Sequence, residues 1–113
     1  MDIRINARQG RVPESLRKQA EQRFERFERF DSRITAGSLV VDGNARLHRA
    51  EARLVAAGGP PLIGRAEGPT LRGAIDVALH RLERQLKQRG DRRVARRTRG
   101  LAVAAVAPDL DMP

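Results

Sequence analysis

Residues 47–90 read LHRAEARLVAAGGPPLIGRAEGPTLRGAIDVALHRLERQLKQRG, and the apolar period changes within this stretch. From Leu47 to Val55 the chain alternates, with His48, Ala50, Ala52 and Leu54 on one side and Arg49, Glu51 and Arg53 on the other. A period of two marks a strand with one buried face. Gly58-Gly59-Pro60-Pro61 supplies a turn, and alternation resumes over Leu62 to Glu67 with Leu62, Gly64 and Ala66 in register. Thr70 then stands as an N-cap. Beyond it Leu71, Ile75, Ala78, Leu79, Leu82 and Leu86 recur at helical spacing, and Gly90 is a natural stop. The stretch is therefore a hairpin followed by a helix whose stripe must cover the hairpin's apolar face.

The same rules extend outward. Asp2 to Arg8 alternates as a strand with Ile3, Ile5 and Ala7 on one side. After Gly10 and Pro13 a helix runs to about Phe30, with a stripe of Leu16, Ala20, Phe24 and Phe27 and with Phe30 at its edge. Asp31, Ser32 and Arg33 end it, and Ile34 to Val41 is a β-branched strand closed by Asp42, Gly43 and Asn44. The order is β-α-β-β-β-α. A right-handed crossover makes the first two strands parallel, and short turns make the others antiparallel. The fold class expected is α+β: a two-layer sandwich of a four-stranded mixed sheet with both helices on one face. Arg4, Arg8, Arg49, Arg53 and Arg65 fall on the opposite, solvated face. Residues 1–90 are expected to form the domain. Residues 91–113 are expected to be a disordered tail, because Asp91 to Arg99 is almost all Arg and Gly100 to Pro113 is Ala/Val/Pro-rich, with no core-facing stripe in either.

Composition narrows the function. The chain has 113 residues, 40% of them apolar and 3% aromatic, which suits one small core of aliphatic residues and three Phe. With no Cys, disulfides, thiolate catalysis and Cys-ligated zinc are excluded. Met1 to Arg8 carries no apolar block of a signal peptide, and the run Leu101 to Ala107 is too short to span a bilayer, so a cytoplasmic location without a membrane partner is expected. Nothing assembles a catalytic or metal constellation. His48 is in strand register with Ala50 and Ala52, His80 lies on a basic face, and Asp76 reads as an ion-pair partner of His80 or Arg72. No enzyme activity, cofactor or small-molecule substrate is expected.

The net charge is +9, which favours a polyanion. On the first helix Glu14, Glu21, Glu25 and Glu28 fall within an arc of roughly 60°. Lys18, Arg23, Arg26 and Arg29 take the other exposed flank. On the second, His80, Arg84 and Lys87 lie opposite the stripe, with Arg81 on a flank. Arg81 through Arg99 holds nine Lys or Arg against Glu83 and Asp91, a net of +7. Segregated signs on two helices of one face suggest one Arg-lined groove for a phosphate backbone. The candidate RNA contacts are Lys18, Arg23, Arg26, Arg29, His80, Arg81, Arg84, Lys87, Arg89, Arg92 and Arg93. With no Trp or Tyr, and with the Phe near the core stripe, folded RNA read by shape and phosphate suits the chain better than single strands stacked on aromatics.

Several pieces, in order, carry a resemblance. Ala66-Glu67-Gly68, Ala74-Ile75-Asp76 and Arg81-Leu82-Glu83-Arg84-Gln85-Leu86-Lys87 are similar to the signature of the ribosome hibernation-promoting factors, also called ribosome-associated inhibitor A or sigma-54 modulation proteins. Ile3-Arg4-Ile5-Asn6, Leu16-Arg17, the run Arg23 to Phe30 and Ala50-Glu51-Ala52-Arg53-Leu54 resemble the opening strand, the first helix and the third strand of that family. The resemblance covers about residues 1–89. It implies the same β-α-β-β-β-α fold, and a factor that sits in the decoding channel of the small ribosomal subunit, overlaps the tRNA and mRNA sites and inhibits translation under stress. It implies rRNA contacts at Arg23, Arg26, Arg29, Arg81, Arg84 and Lys87. The chain resembles the short form, expected to be a monomer off the ribosome. It departs from the family at Arg72, commonly Tyr, at Gly73, often Ala, at Pro13 in place of a Thr cap, and at Phe24 and Phe27 in place of Leu. Two other readings stand beside it: a general double-stranded-RNA-binding module, and a protein-interaction modulator of the transcription machinery.

Overall fold

The computed structural model describes the backbone of residues 1–102 and the side chains of residues 1–90. Its elements are strand β1 (Asp2–Ala7), helix α1 (Glu14–Phe30), strands β2 (Ile34–Gly43), β3 (His48–Ala56) and β4 (Leu62–Gly68), and helix α2 (Leu71–Ala102). One sheet has the order β1-β2-β3-β4. β1 and β2 are parallel, joined through α1, and the two hairpins are antiparallel. This is the β-α-β-β-β-α sandwich that the periods imply.

Local chemistry sets the element ends. The β2–β3 turn is closed by Asn44, whose side-chain oxygen accepts from the N–H groups of Arg46 and Leu47 at 2.8 and 3.1 Å. Gly43 precedes it at φ +123°, a backbone state that a Cβ would strain. Asp31 ends α1: its N–H donates to Phe27 O, and its buried carboxylate accepts from the Arg33 N–H at 3.0 Å. Thr70 caps α2, its Oγ accepting from the Gly73 N–H at 3.1 Å. At the head of α1, Pro13 provides no side-chain cap.

The core lies between the sheet and the two helices. From α1 it takes Leu16, Ala20, Phe24 and Phe27, and from α2 Ala74, Ile75, Ala78, Leu79, Leu82 and Leu86. Phe24 and Phe27 meet edge to face at 5.9 Å, with Phe24 laid over Gly37, where a Cβ would come within 2.7 Å of the ring. α2 approaches β3 and β4 closely because they present Ala50, Ala52, Gly64 and Ala66 to it. At Gly64 the fit leaves no room: a Cβ there would collide with the carbonyl of Ala78 and lie 2.9 Å from the Leu82 nitrogen.

The helix does not stop at Gly90. It continues to Ala102, and Gly90 keeps a negative φ rather than the left-handed turn of a helix end. A glycine inside a helix costs only about 1 kcal/mol relative to alanine, and the Arg and Ala residues after it are good helix formers. Residues 91–102 therefore have helical backbone where a disordered tail is expected from composition. The rest of that expected tail, residues 103–113, lies outside the described residues.

Candidate nucleic-acid interface

Both helices lie on one face of the sheet, so their outer sides form a single layer open to solvent. Lys18, Arg26 and Arg29 on α1 and His80, Arg84 and Lys87 on α2 are all exposed there. Among the described residues, none of the five cations Lys18, Arg26, Arg29, Arg84 and Lys87 has a carboxylate within ion-pair distance. Unpaired guanidinium and ammonium groups on a rigid helical layer are free to take phosphate oxygens.

The opposite face of the sheet is arginine-rich in sequence but compensated in structure. Arg4 pairs with Asp2 at 3.4 Å, Arg8 with Asp42 at 3.7 Å and Arg49 with Glu67 at 3.5 Å. Glu51 takes both Arg53 at 3.5 Å and Arg65 at 3.1 Å. The strand registers bring Glu51 opposite Arg65 and Arg49 opposite both Asp42 and Glu67, so signs alternate across neighbouring strands. These pairs are solvent-exposed and add little stability, but they cancel one another's field.

The remaining candidates have structural duties. Arg23 reaches from α1 to α2 and donates to Asp76 Oδ1 at 3.1 Å. Its side chain is 19% exposed, and its Nε is buried with no hydrogen-bond partner. Asp76 is thus an ion-pair partner, but of Arg23 across the helix interface and not of His80 or Arg72 on its own helix. Arg81 and Arg89 lie on the far flank of α2, over the edge strand β4. Arg81 donates to the carbonyl of Arg65, and Arg89 donates to that of Pro60 at 2.6 Å. Between them Gln85 exchanges two bonds with Ile63, donating Nε2 to its carbonyl at 2.6 Å and accepting from its N–H at 3.3 Å. The spacing of four between Arg81, Gln85 and Arg89 lines them up along one flank. Arg81 and Gln85 thereby occupy three backbone groups on the outer edge of β4, the N–H and carbonyl of Ile63 and the carbonyl of Arg65. The expected single groove is therefore split. Its α1 side and the outer face of α2 hold free cations, while Arg81 and Arg89 are committed elsewhere. Arg92 and Arg93 lie on the backbone of α2, and their side chains lie outside the described residues.

One residue of this layer is missed by composition. Phe30 is 54% exposed, whereas Phe24 and Phe27 are buried. Counted at about 100° per residue from Glu14, the α1 core stripe spans roughly 200–280°, the basic arc runs from about 40° at Lys18 to about 180° at Arg23, and Phe30 falls near 160°. The angle places it among the cations, outside the stripe. A groove between the helices, lined in part by Leu16, Ala20, Arg23, Arg72, Asp76 and Leu79, opens on the same layer. Among the described residues no helix is long and apolar enough to cross a membrane.

Comparison with known proteins gives this surface a context. A family described as Sigma 54 modulation protein / S30EA ribosomal protein matches residues 3–94. A ribosome hibernation promoting factor from Azotobacter vinelandii is 28% identical over 96 residues, covering 85% of this chain and 89% of that protein. The N-terminal domain of Thermus thermophilus Protein Y superposes with a TM-score of 0.67 at 27% identity, over 78% of this chain and 98% of its own. A ribosomal subunit interface protein from Coxiella burnetii gives a TM-score of 0.71 over 80% of this chain and 99% of its own, and at 20% identity the likeness is one of fold.

Proposed function

This chain belongs to the Sigma 54 modulation protein / S30EA ribosomal protein family, and on that premise we propose that it is a ribosome hibernation factor acting without enzymatic chemistry. It binds the small subunit in the decoding channel through rRNA phosphates, and by occupying the tRNA and mRNA sites it inhibits translation in stress or stationary phase. The observation that carries this reading is the asymmetry of charge: free cations on the helical layer against ion-paired arginines on the sheet. On α1 the free cations Lys18, Arg26 and Arg29 occupy one flank and Glu14, Glu21 and Glu25 the other, and segregation of this kind gives a partner a one-signed strip that solubility alone does not require. The working contacts are Lys18, Arg26, Arg29, Arg84 and Lys87, with His80 beside them. Arg23, Arg81 and Arg89 support the scaffold, and Arg92 and Arg93 extend the basic stretch along α2.

The test is sedimentation of the purified chain with isolated small and large subunits, using wild type and a variant with Arg26, Arg29, Arg84 and Lys87 all changed to Glu. The wild type should travel with the small subunit and inhibit a translation extract. The variant should fold, since all four positions are exposed, and should lose both properties by orders of magnitude. Inhibition by the variant at wild-type concentration would overturn the assignment of this surface.

A further inference from the structure

Of the three Phe, Phe30 alone is exposed, at the last turn of α1. Its ring does not dangle. Cε1 and Cζ lie 3.6 and 3.7 Å from the point where a Cβ of Gly90 would stand, so the ring bridges from α1 to the α2 backbone. Arg26 precedes it by one turn on α1, Arg29 is its neighbour, and Lys87 lies just under one turn before Gly90 on α2. All three cations are exposed, with no carboxylate partner among the described residues. An apolar ring of this size left half in water, backed by α2 and with free cations close by along both helices, suits a ligand with a flat π-face and a phosphate attached.

We propose that Phe30 is a stacking platform for one unpaired nucleobase of single-stranded RNA, whose flanking phosphates are held by Arg26, Arg29 and Lys87. The proposal rests on the RNA-binding reading above and adds to it a contact with a base, where charge alone would read only backbone. Duplex RNA keeps its bases stacked on one another and cannot offer one to the ring, so the platform selects an unpaired nucleotide. Among the described residues the other large apolar side chains left in water, Val55 on the sheet and Val77 on α2, have no π-face.

The chain contains no Trp and no Tyr, so Phe30→Trp in the full-length protein makes a single fluorescent reporter at the site in question. Titration of this variant with a single-stranded RNA dodecamer should quench the indole emission. Inorganic polyphosphate, which offers charge without bases, should bind and leave the emission unchanged, and so should a duplex of the same sequence. In parallel, Phe30→Leu should keep the wild-type melting temperature to within a few degrees. It should weaken dodecamer binding about 5- to 150-fold without changing the salt slope or the affinity for polyphosphate. Binding of the dodecamer without quenching would overturn the proposal. So would quenching by polyphosphate, or a Phe30→Leu variant that loses both ligands equally. An indole emission that changes with protein concentration in the absence of RNA would assign the ring to a second copy of the chain instead. If the chain sediments with small subunits yet ignores the dodecamer, the platform fails while the functional reading stands. If it does neither, both fall.

Discussion

Gly64 is the residue on which the distance between layers depends. A side chain there would meet the α2 backbone at Ala78 and Leu82, and a backbone cannot rotate aside as a flexible side chain can. Gly64→Ala should therefore lift α2 off β4 and destabilise the domain by about 3 kcal/mol, read as a lower urea midpoint. Addition of a methyl group elsewhere on a solvated strand would cost far less. From the sequence Gly64 reads as one member of an alternating face, and that much holds. Its close contact is not legible there, because it depends on which helix crosses which strand. The same holds for the cations. Arg23 and Arg26 look equivalent along α1, but Arg23 is drawn into a pair by Asp76, 53 residues away, and Arg26 is left free. Phe30 is the counter-example. Its helical angle already separates it from Phe24 and Phe27, although aromatic content alone groups all three.

At the scale of elements, the strands and helical stripes were legible because burial imposes its period directly on the chain. The order of the sheet follows from handedness and turn length, and it matches. The end of α2 was not legible. Glycine is the commonest residue just past a helix, yet it is only a mildly poor residue within one, so Gly90 alone does not distinguish the two. What α2 does beyond the sheet is separate from what holds the domain together. Among the described residues its last fully buried side chain is Leu86, and its last bond to the rest of the domain is that of Arg89 to Pro60 in the β3–β4 turn. A chain ending at Gly90 should therefore keep the melting temperature of the full chain to within a few degrees, as followed by circular dichroism. A large fall would mean that residues after Gly90 dock on the domain. Arg81, Gln85 and Arg89 also show an element protecting another. By engaging Ile63 and the Arg65 carbonyl, Arg81 and Gln85 block the first half of the β4 edge against an incoming strand.

For the whole molecule, the charge distribution makes a quantitative demand on binding. With five free cations neutralising phosphates, log K against log salt should fall with a slope of about −3.5 to −4.5, measured by anisotropy with labelled rRNA fragments. Contacts from the arginines beyond Gly90 would steepen it, and a slope near zero would mean that the cations serve solubility alone. On the sheet the arithmetic is different. Arg4, Arg8, Arg49, Arg53 and Arg65 face Asp2, Asp42, Glu51 and Glu67, so five positive charges less four negative leave +1 on that side. The total of +9 therefore overstates what the molecule offers to a second polyanion once its first is bound. Among the described residues the proposed function thus leaves one side, and not two, to hold RNA. A cationic protein with two sticky sides knits nucleic acids into networks, coacervates and precipitates, whereas a one-sided ligand caps each site and stops. Under the proposed function, a cell storing idle ribosomes at high density would coat them with this chain without gluing them to one another.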